Sequence, residues 1–498
     1  MKERVIKPRN YVAYGLCDVL GAGSMAVISG WLIFFYTTFC GLSAVEAASI
    51  FAIARILDAV ASPLIGHISD NLGKTRVGRR FGRRRFFLLA AIPLLPSFAF
   101  MWVSGQHYWY YLLTFVFFEL VYASVLIPYE TLAAEMTDDY TKKAKFAGAR
   151  ILVGQISAIF AGILPAWIVN YVGGDENATT FLIMGGIFSV TFMCVVGITW
   201  FFTWERGPAV ETVAVEDKPG ISPLASLKKV FVNLGSTLRI RAFRLHLGMY
   251  LGGYISQDIF NAAFTYFIVF ALGGSVAIAS SLIANTYIAQ LFAVMLAILL
   301  VIRIGPAFTY RIAVVFYLLG IAALLGLFLT FSELPSMYLL LGAVVLAGLG
   351  RGALNYIPWN VYNYIPDVDQ IVTAQRREGS FAGVMTFIRK AAQAVAVMAV
   401  GIVLEWGGFT SGSSTQSTEA INTIVIAMVA GPLILLLFGF WVAGKFKLNK
   451  DTHALLMQEI AHLKTGATEP SSEHSRRIVE DLSGWPYEKL WGKNPVGK

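Results

Sequence analysis

SIFAIARILDAVASPLIGHISDNLGKTRVGRRFGRRR, residues 49–85, decides the fold of this chain. It opens as an apolar helix with Arg55 and Asp58 in its middle and closes as a basic run. An ionisable side chain at the centre of a helix in hydrocarbon costs at least ~2.5–3.5 kcal/mol, so it is tolerated only where it faces a cavity or a partner. Arg55 and Asp58 are three residues apart, on one helical face, where they partly neutralise each other. The basic run marks the cytoplasmic end of the helix. A polar pathway and a topology signal stand side by side.

The rest of the chain has the same character. Of its 498 residues, 57% are hydrophobic and 14% charged, whereas a soluble domain carries ~25% charged residues. Apolar runs repeatedly reach the ~20 residues that cross a bilayer. In lipid each segment must satisfy its own backbone, which makes this an all-α polytopic membrane protein. The net charge of +9 does not indicate a nucleic-acid partner, because the basic residues lie in loops between apolar helices. Cys17, Cys40 and Cys194 fall in or beside apolar segments with no metal-ligand spacing and read as inert thiols. The basic start MKERVIKPRN precedes an apolar segment long enough to span, with no cleavage site, so that segment reads as a retained helix.

Twelve spans are expected, near 12–38, 44–66, 86–104, 108–134, 147–171 and 179–203, then 245–271, 276–301, 311–330, 337–363, 379–404 and 419–443. Charge tests this reading. The segments 1–11, 67–85, 135–146, 204–244, 302–310, 364–378 and 444–498 hold nearly every Lys and Arg outside the spans, and the six opposite loops hold none. Both termini are therefore expected in the cytoplasm of a multi-pass plasma (inner) membrane protein. The polar segment 204–244 reads as a linker between an N-terminal half, 1–203, and a C-terminal half, 245–443, with ISPLASLKKVFVNL as a surface helix. Residues 444–498 form a cytoplasmic tail. Six-plus-six around a central loop resembles the plan of the major facilitator superfamily, whose sites lie near the midplane between halves.

The chemistry must lie among charges that cannot leave the membrane: Arg55, Arg150, Arg351, Arg389 and Lys390, with Asp18, Asp58, Glu119, Glu130 and Asp258. A carrier of a polyhydroxylated or ionic solute needs buried hydrogen-bonding groups and a carboxylate that binds a cation. Glu119, Arg351 and Arg389 read as ties between helices. Tyr122 and Trp359 can stack on a sugar ring and hydrogen-bond it, and Asn360 adds a costly polar group to the same run, NYIPWNVYNY. No nucleophile–base pair, phosphate loop or metal box stands in a solvent-facing domain, so no enzyme and no cofactor are expected.

The chain resembles the glycoside–pentoside–hexuronide:cation symporters, the sugar carriers that include the melibiose permeases. The matching pieces are YGLCD with FFYTTFCGLS, ARILDAVASPLIGHISD with the basic loop ending GRRR, LIPYETLAAEMTDD leading to Arg150, and RREGSFAGVMTFIRKAAQA. The resemblance implies a cation site at Asp58 with Lys390 close to it, and a sugar site that includes Arg150, with Asp18 near the family's sugar-holding acid. It also implies a cytoplasmic gate at Asp70, with Arg79 and Arg80 as its basic partners. Two departures matter. Ser62 stands where melibiose-type permeases carry a second carboxylate, and Leu126 stands where they carry an aspartate, with Glu130 one turn further on. Sodium profits from two carboxylates whereas a proton needs one, so H+ is the favoured coupling ion and Na+ the alternative. The substrate is expected to be a sugar, glycoside or hexuronide, carried by a monomer surrounded by membrane lipid. A carrier of lysophospholipid or another amphiphile is the rival, distinguished by a broad apolar cleft.

Overall fold

The computed structural model describes residues 5–137, 139–172, 177–205, 232, 235–375 and 377–494, apart from a few side chains within helices. Most of the expected linker, with its surface helix, lies outside the described residues. Among the described residues the fold is all helix, with no strand.

Two compact units make up the chain. The first joins Met1–Leu227 with Asn261–Tyr287 and Gln393–Ala427, and the second joins Lys228–Phe260, Ile288–Ala392 and Met428–Lys498. Among the described residues, ten helices are long and apolar enough to cross a membrane. Two of the expected spans are not among them, each for a physical reason. Span 86–104 is divided into a helix Arg85–Ala91, a 3-10 turn Ile92–Leu94 and a helix Ser97–Phe100. Pro93 and Pro96 each remove an amide from the ladder there. Span 245–271 is helical, but His246, Gln257, Asp258 and Asn261 dilute its apolar character.

The helices used below are α1 (Pro8–Thr38), α2 (Ala44–Asn71), α3 (Arg85–Ala91), α4 (Tyr108–Met136), α5 (Tyr140–Val172) and α6 (Ala178–Phe202). Then follow α7 (Arg241–Tyr266), α8 (Val276–Ile304), α9 (Pro306–Thr330), α10 (Met337–Tyr362), α11 (Ile365–Thr373), α12 (Glu378–Trp406) and α13 (Thr418–Lys445). The tail adds α14 (Lys450–Lys464) and α15 (Glu473–Ser483).

In the first unit, α2 starts with a capping box, Ser43 and Glu46 each holding the other's amide at 3.2 and 2.9 Å. A cluster of aromatic rings fills this unit, with Trp31, Phe35, Trp102 and Phe181 in contact. α1 is not a plain α-helix: Val19–Gly23 and Ile28–Leu32 widen into π turns. Such turns accompany functional positions, and the first begins directly after Asp18.

In the second unit the tail folds onto α11. His453 bonds Asp367 at 2.9 Å, and the amides of Trp491 and Gly492 donate to the carbonyls of Ile371 and Val372. Glu459, fully buried, accepts from Ser471 and Tyr487. Burial, with that carboxylate against it, pushes the Tyr487 hydroxyl pKa up.

Candidate functional site

Asp18, Glu130 and Arg150 come from three helices and meet. Arg150 Nε donates to Asp18 Oδ1 at 3.0 Å, and Nη2 donates to Glu130 Oε1 at 2.8 Å. The guanidinium lies 5.7 Å over the Tyr129 ring. Space for the Asp18 carboxylate comes from Gly154 of α5, where a Cβ would fall 2.3 Å from Oδ2. Tyr129 and Tyr14 brace α4 against α1 through each other's backbone carbonyls, at 2.8 and 3.4 Å. Tyr122 reaches the Gly21 carbonyl of α1 at 3.5 Å. The Arg150 side chain is 33% exposed and that of Glu130 50%. This cluster is reachable by a solute.

A second cluster of the same make-up lies between α2 and α4. Arg55 Nη1 stands 3.6 Å from Asp58 Oδ2 and 3.2 Å from Glu119 Oε2. Arg55 also donates to the Met25 sulfur, and its guanidinium lies 5.4 Å over the Phe51 ring. Ser62 donates to the Asp58 carbonyl at 2.8 Å and to its carboxylate at 3.2 Å. All three charged side chains are at most 4% exposed. The three-residue spacing paired Arg55 with Asp58 correctly. It could not reach Glu119, whose only signal in sequence is a lone acid in FVFFELVYAS.

The second unit carries its own polar chain. Arg389 and Asp258 form an ion pair at 2.6 Å, and the guanidinium lies 5.2 Å over the Tyr254 ring. Tyr254 donates to the Asn355 carbonyl at 3.1 Å and accepts from Trp359 Nε1 at 2.9 Å. Gln257 links Asn355 at 2.9 Å and Arg351 at 3.3 Å. Trp359 presents an exposed indole above this network, and Asn360 bonds Tyr356 at 3.1 Å. Lys390 belongs to this unit and is half-buried. Trp359 and Asn360 were singled out in the sequence, whereas Gln257, which ties Asn355 to Arg351, was not.

On the basic loop, the Asp70 side chain lies outside the described residues, and Arg79 and Arg80 are exposed, with Arg80 over the Phe81 ring at 5.2 Å. Among the described residues, the ion-paired arginines come next in sequence. Glu135 bonds Arg83 at 2.5 Å and Arg84 at 3.0 Å. The Glu205 carboxylate accepts from the backbone amides of Arg83, Arg84 and Arg85 at 2.9, 2.8 and 2.5 Å. Glu135 lies within the LIPYETLAAEMTDD piece but was not singled out there, and Glu205 lies in the linker with no motif around it.

Comparison with known proteins gives a consistent result. The family described as MFS/sugar transport protein matches residues 13–450. The inner membrane symporter YicJ of Escherichia coli (strain K12) is 24% identical over 483 residues, covering 93% of this chain and 97% of its own. The isoprimeverose transporter of Lactiplantibacillus pentosus is 23% identical over 432 residues, covering 85% of each chain. Among solved structures, the nucleoside transporter NupG superposes with a TM-score of 0.58 at 15% identity, covering 89% of this chain and 99% of that one. That last likeness shows the fold alone.

Proposed function

The chain belongs to the MFS/sugar transport protein family, and on that premise we propose that it is a proton-coupled symporter of a neutral glycoside or pentoside. It is an integral, multi-pass membrane transporter and not an enzyme. In this reading it works as a monomer in the inner membrane, with twelve helices in two halves of six, both termini cytoplasmic, and alternating access to a central site.

One observation carries the choice of substrate: Arg150 is already held by two carboxylates, Asp18 buried behind it and Glu130 exposed. The formal charges of Asp18, Glu130 and Arg150 sum to minus one. A hexuronide would bring a further negative charge against two acids, whereas neutral hydroxyls can accept from the guanidinium and donate to the carboxylates. Trp359 presents an exposed ring of the kind on which a sugar face can stack. The name of one related protein, an isoprimeverose transporter, fits the neutral class, whereas another, a glucuronide carrier homolog, names an anionic sugar and makes the uronate arm of the assay below decisive.

Arg55 supports the proton. A guanidinium 3.2 and 3.6 Å from the Glu119 and Asp58 carboxylates repels a metal cation from the space between them, while a proton binds on one oxygen. Asp58 carries the proton, and Ser62, hydrogen-bonded to it, orients its carboxylate.

Uptake into proteoliposomes under imposed proton or sodium gradients tests both halves, with neutral glycosides, uronates and a lysophospholipid as solutes. Neutral glycosides should accumulate with the proton gradient. The Asp58→Asn variant should lose accumulation yet keep exchange, because an amide imitates the protonated acid. Sodium-driven accumulation at fixed pH, or accumulation by Asp58→Asn, refutes the coupling reading, and a preference for uronates refutes the substrate reading.

A further inference from the structure

We infer that Ser280 is a clasp that keeps the transporter shut at the end opposite the basic loops, an inference that rests on the alternating-access reading above. In the first unit, α5 crosses the start of α8. Gly162 of α5 lies so close to α8 that a Cβ there would come within 2.7 Å of the Ala284 amide nitrogen and 2.8 Å of its Cα. One turn away, Ser280 is fully buried and enters the backbone of α5 itself. Its Oγ accepts from the Ala166 amide at 3.0 Å and donates to the Gly162 carbonyl.

Those two groups are the donor and acceptor of a single i→i−4 rung. A side chain that enters the ladder bends a helix, and Pro165, with no amide to give, lies on the same turn. The consequence is reversibility. When α8 withdraws, Ala166 and Gly162 still have each other as i→i−4 partners in a helix that runs unbroken through them, so α5 is left with no orphaned buried group. The backbone is thus satisfied both with the hydroxyl bonded to it and without it. Bistability of this kind is what a gate needs.

A second crossing in the same unit repeats the design in a weaker form. A Cβ on Gly401 of α12 would meet Ala48 at 2.4 Å and the Ala44 carbonyl at 2.6 Å, both on α2. Glu405, one turn on, accepts from the Val45 amide at 2.8 Å, one of the first amides of α2. That bond is exposed, so water can replace it on opening. The Ser280 bonds are buried, and so Ser280 holds the larger share of the closure.

Spin labels at Tyr171→Cys, exposed at the end of α5, and Ile278→Cys, at the start of α8, report the separation of these two helix ends. The three native cysteines are replaced by alanine, and the purified transporter is measured in lipid without substrate or gradient. Loss of the hydroxyl in Ser280→Ala should raise the long-distance population about fivefold, the shift expected from one net hydrogen bond. Gly162→Ala, whose methyl meets the α8 backbone, should raise it at least as much. A native distance distribution in Ser280→Ala overturns the inference, whatever Gly162→Ala does. Because no solute is present, this result is read separately from the sugar-uptake assay, which can fail on substrate or ion while the clasp stands.

Discussion

Two clusters in the first unit are built from the same parts, one arginine and two carboxylates, and differ in water. Arg150 with Asp18 and Glu130 is open on one side, its acids contributed by α1 and α4. Arg55 with Asp58 and Glu119 is closed over by α2 and α4. In the open cluster a hydroxylated solute can take the place of solvent around the arginine. In the closed one, each charge must be answered by its neighbours, because the low dielectric punishes any imbalance. Composition alone would assign them one role. In the proposed reading, burial divides the roles: recognition where the charges are wet, coupling where they are dry.

The largest effect should come from breaking the dry cluster at its hub. Arg55→Leu removes the guanidinium from two buried acids and should destabilise the protein by about 3–5 kcal/mol, read by unfolding in detergent. A variant as stable as the native protein would mean that the cluster is not dry. The wet cluster should respond in binding instead. Arg150→Lys keeps the charge but loses the planar fork, so glycoside affinity should fall about tenfold or more while stability changes by under ~1 kcal/mol. Equal losses of stability in both variants would erase the distinction between the clusters. The smallest effect belongs to Glu130, the most exposed member. Glu130→Gln should change neutral glycoside affinity by less than about fivefold and should raise uptake of uronates, whose repulsion it relieves. No gain with uronates would place the discrimination at another residue.

Much of this was legible in the sequence wherever one segment sufficed. Arg55 and Asp58 share a face because they are three apart, and the pairing is observed at 3.6 Å. The apolar runs and the partition of lysine and arginine among loops announced a helical membrane protein. The resemblance implied Arg150 in the sugar site and Asp18 near its acid, and the two are ion-paired, with Glu130 as a second acid on the arginine. Glu119 was read as a tie between helices, and no local pattern joins position 119 to position 55. Their contact is made by packing of α2 on α4. The backbone detail of α1 was equally hidden, since a π turn after Asp18 depends on what crosses the helix there. The same holds for Ser280, an ordinary serine in an apolar helix until α5 is laid against it.

One consequence of α7 concerns how the chain is made. As the seventh of the proposed spans, it enters the membrane with Gln257 and Asp258 inside it and falls short of the apolar character its neighbours possess. Insertion scales charge ~2.5–3.5 kcal/mol for an aspartate at the centre of such a helix. The arginine that answers Asp258 lies 131 residues later, on α12. During synthesis that partner does not yet exist. As a membrane span, the seventh helix should therefore insert stably only once the chain has been extended through Arg389, so that the second half of the transporter is assembled as a group of helices and not one by one.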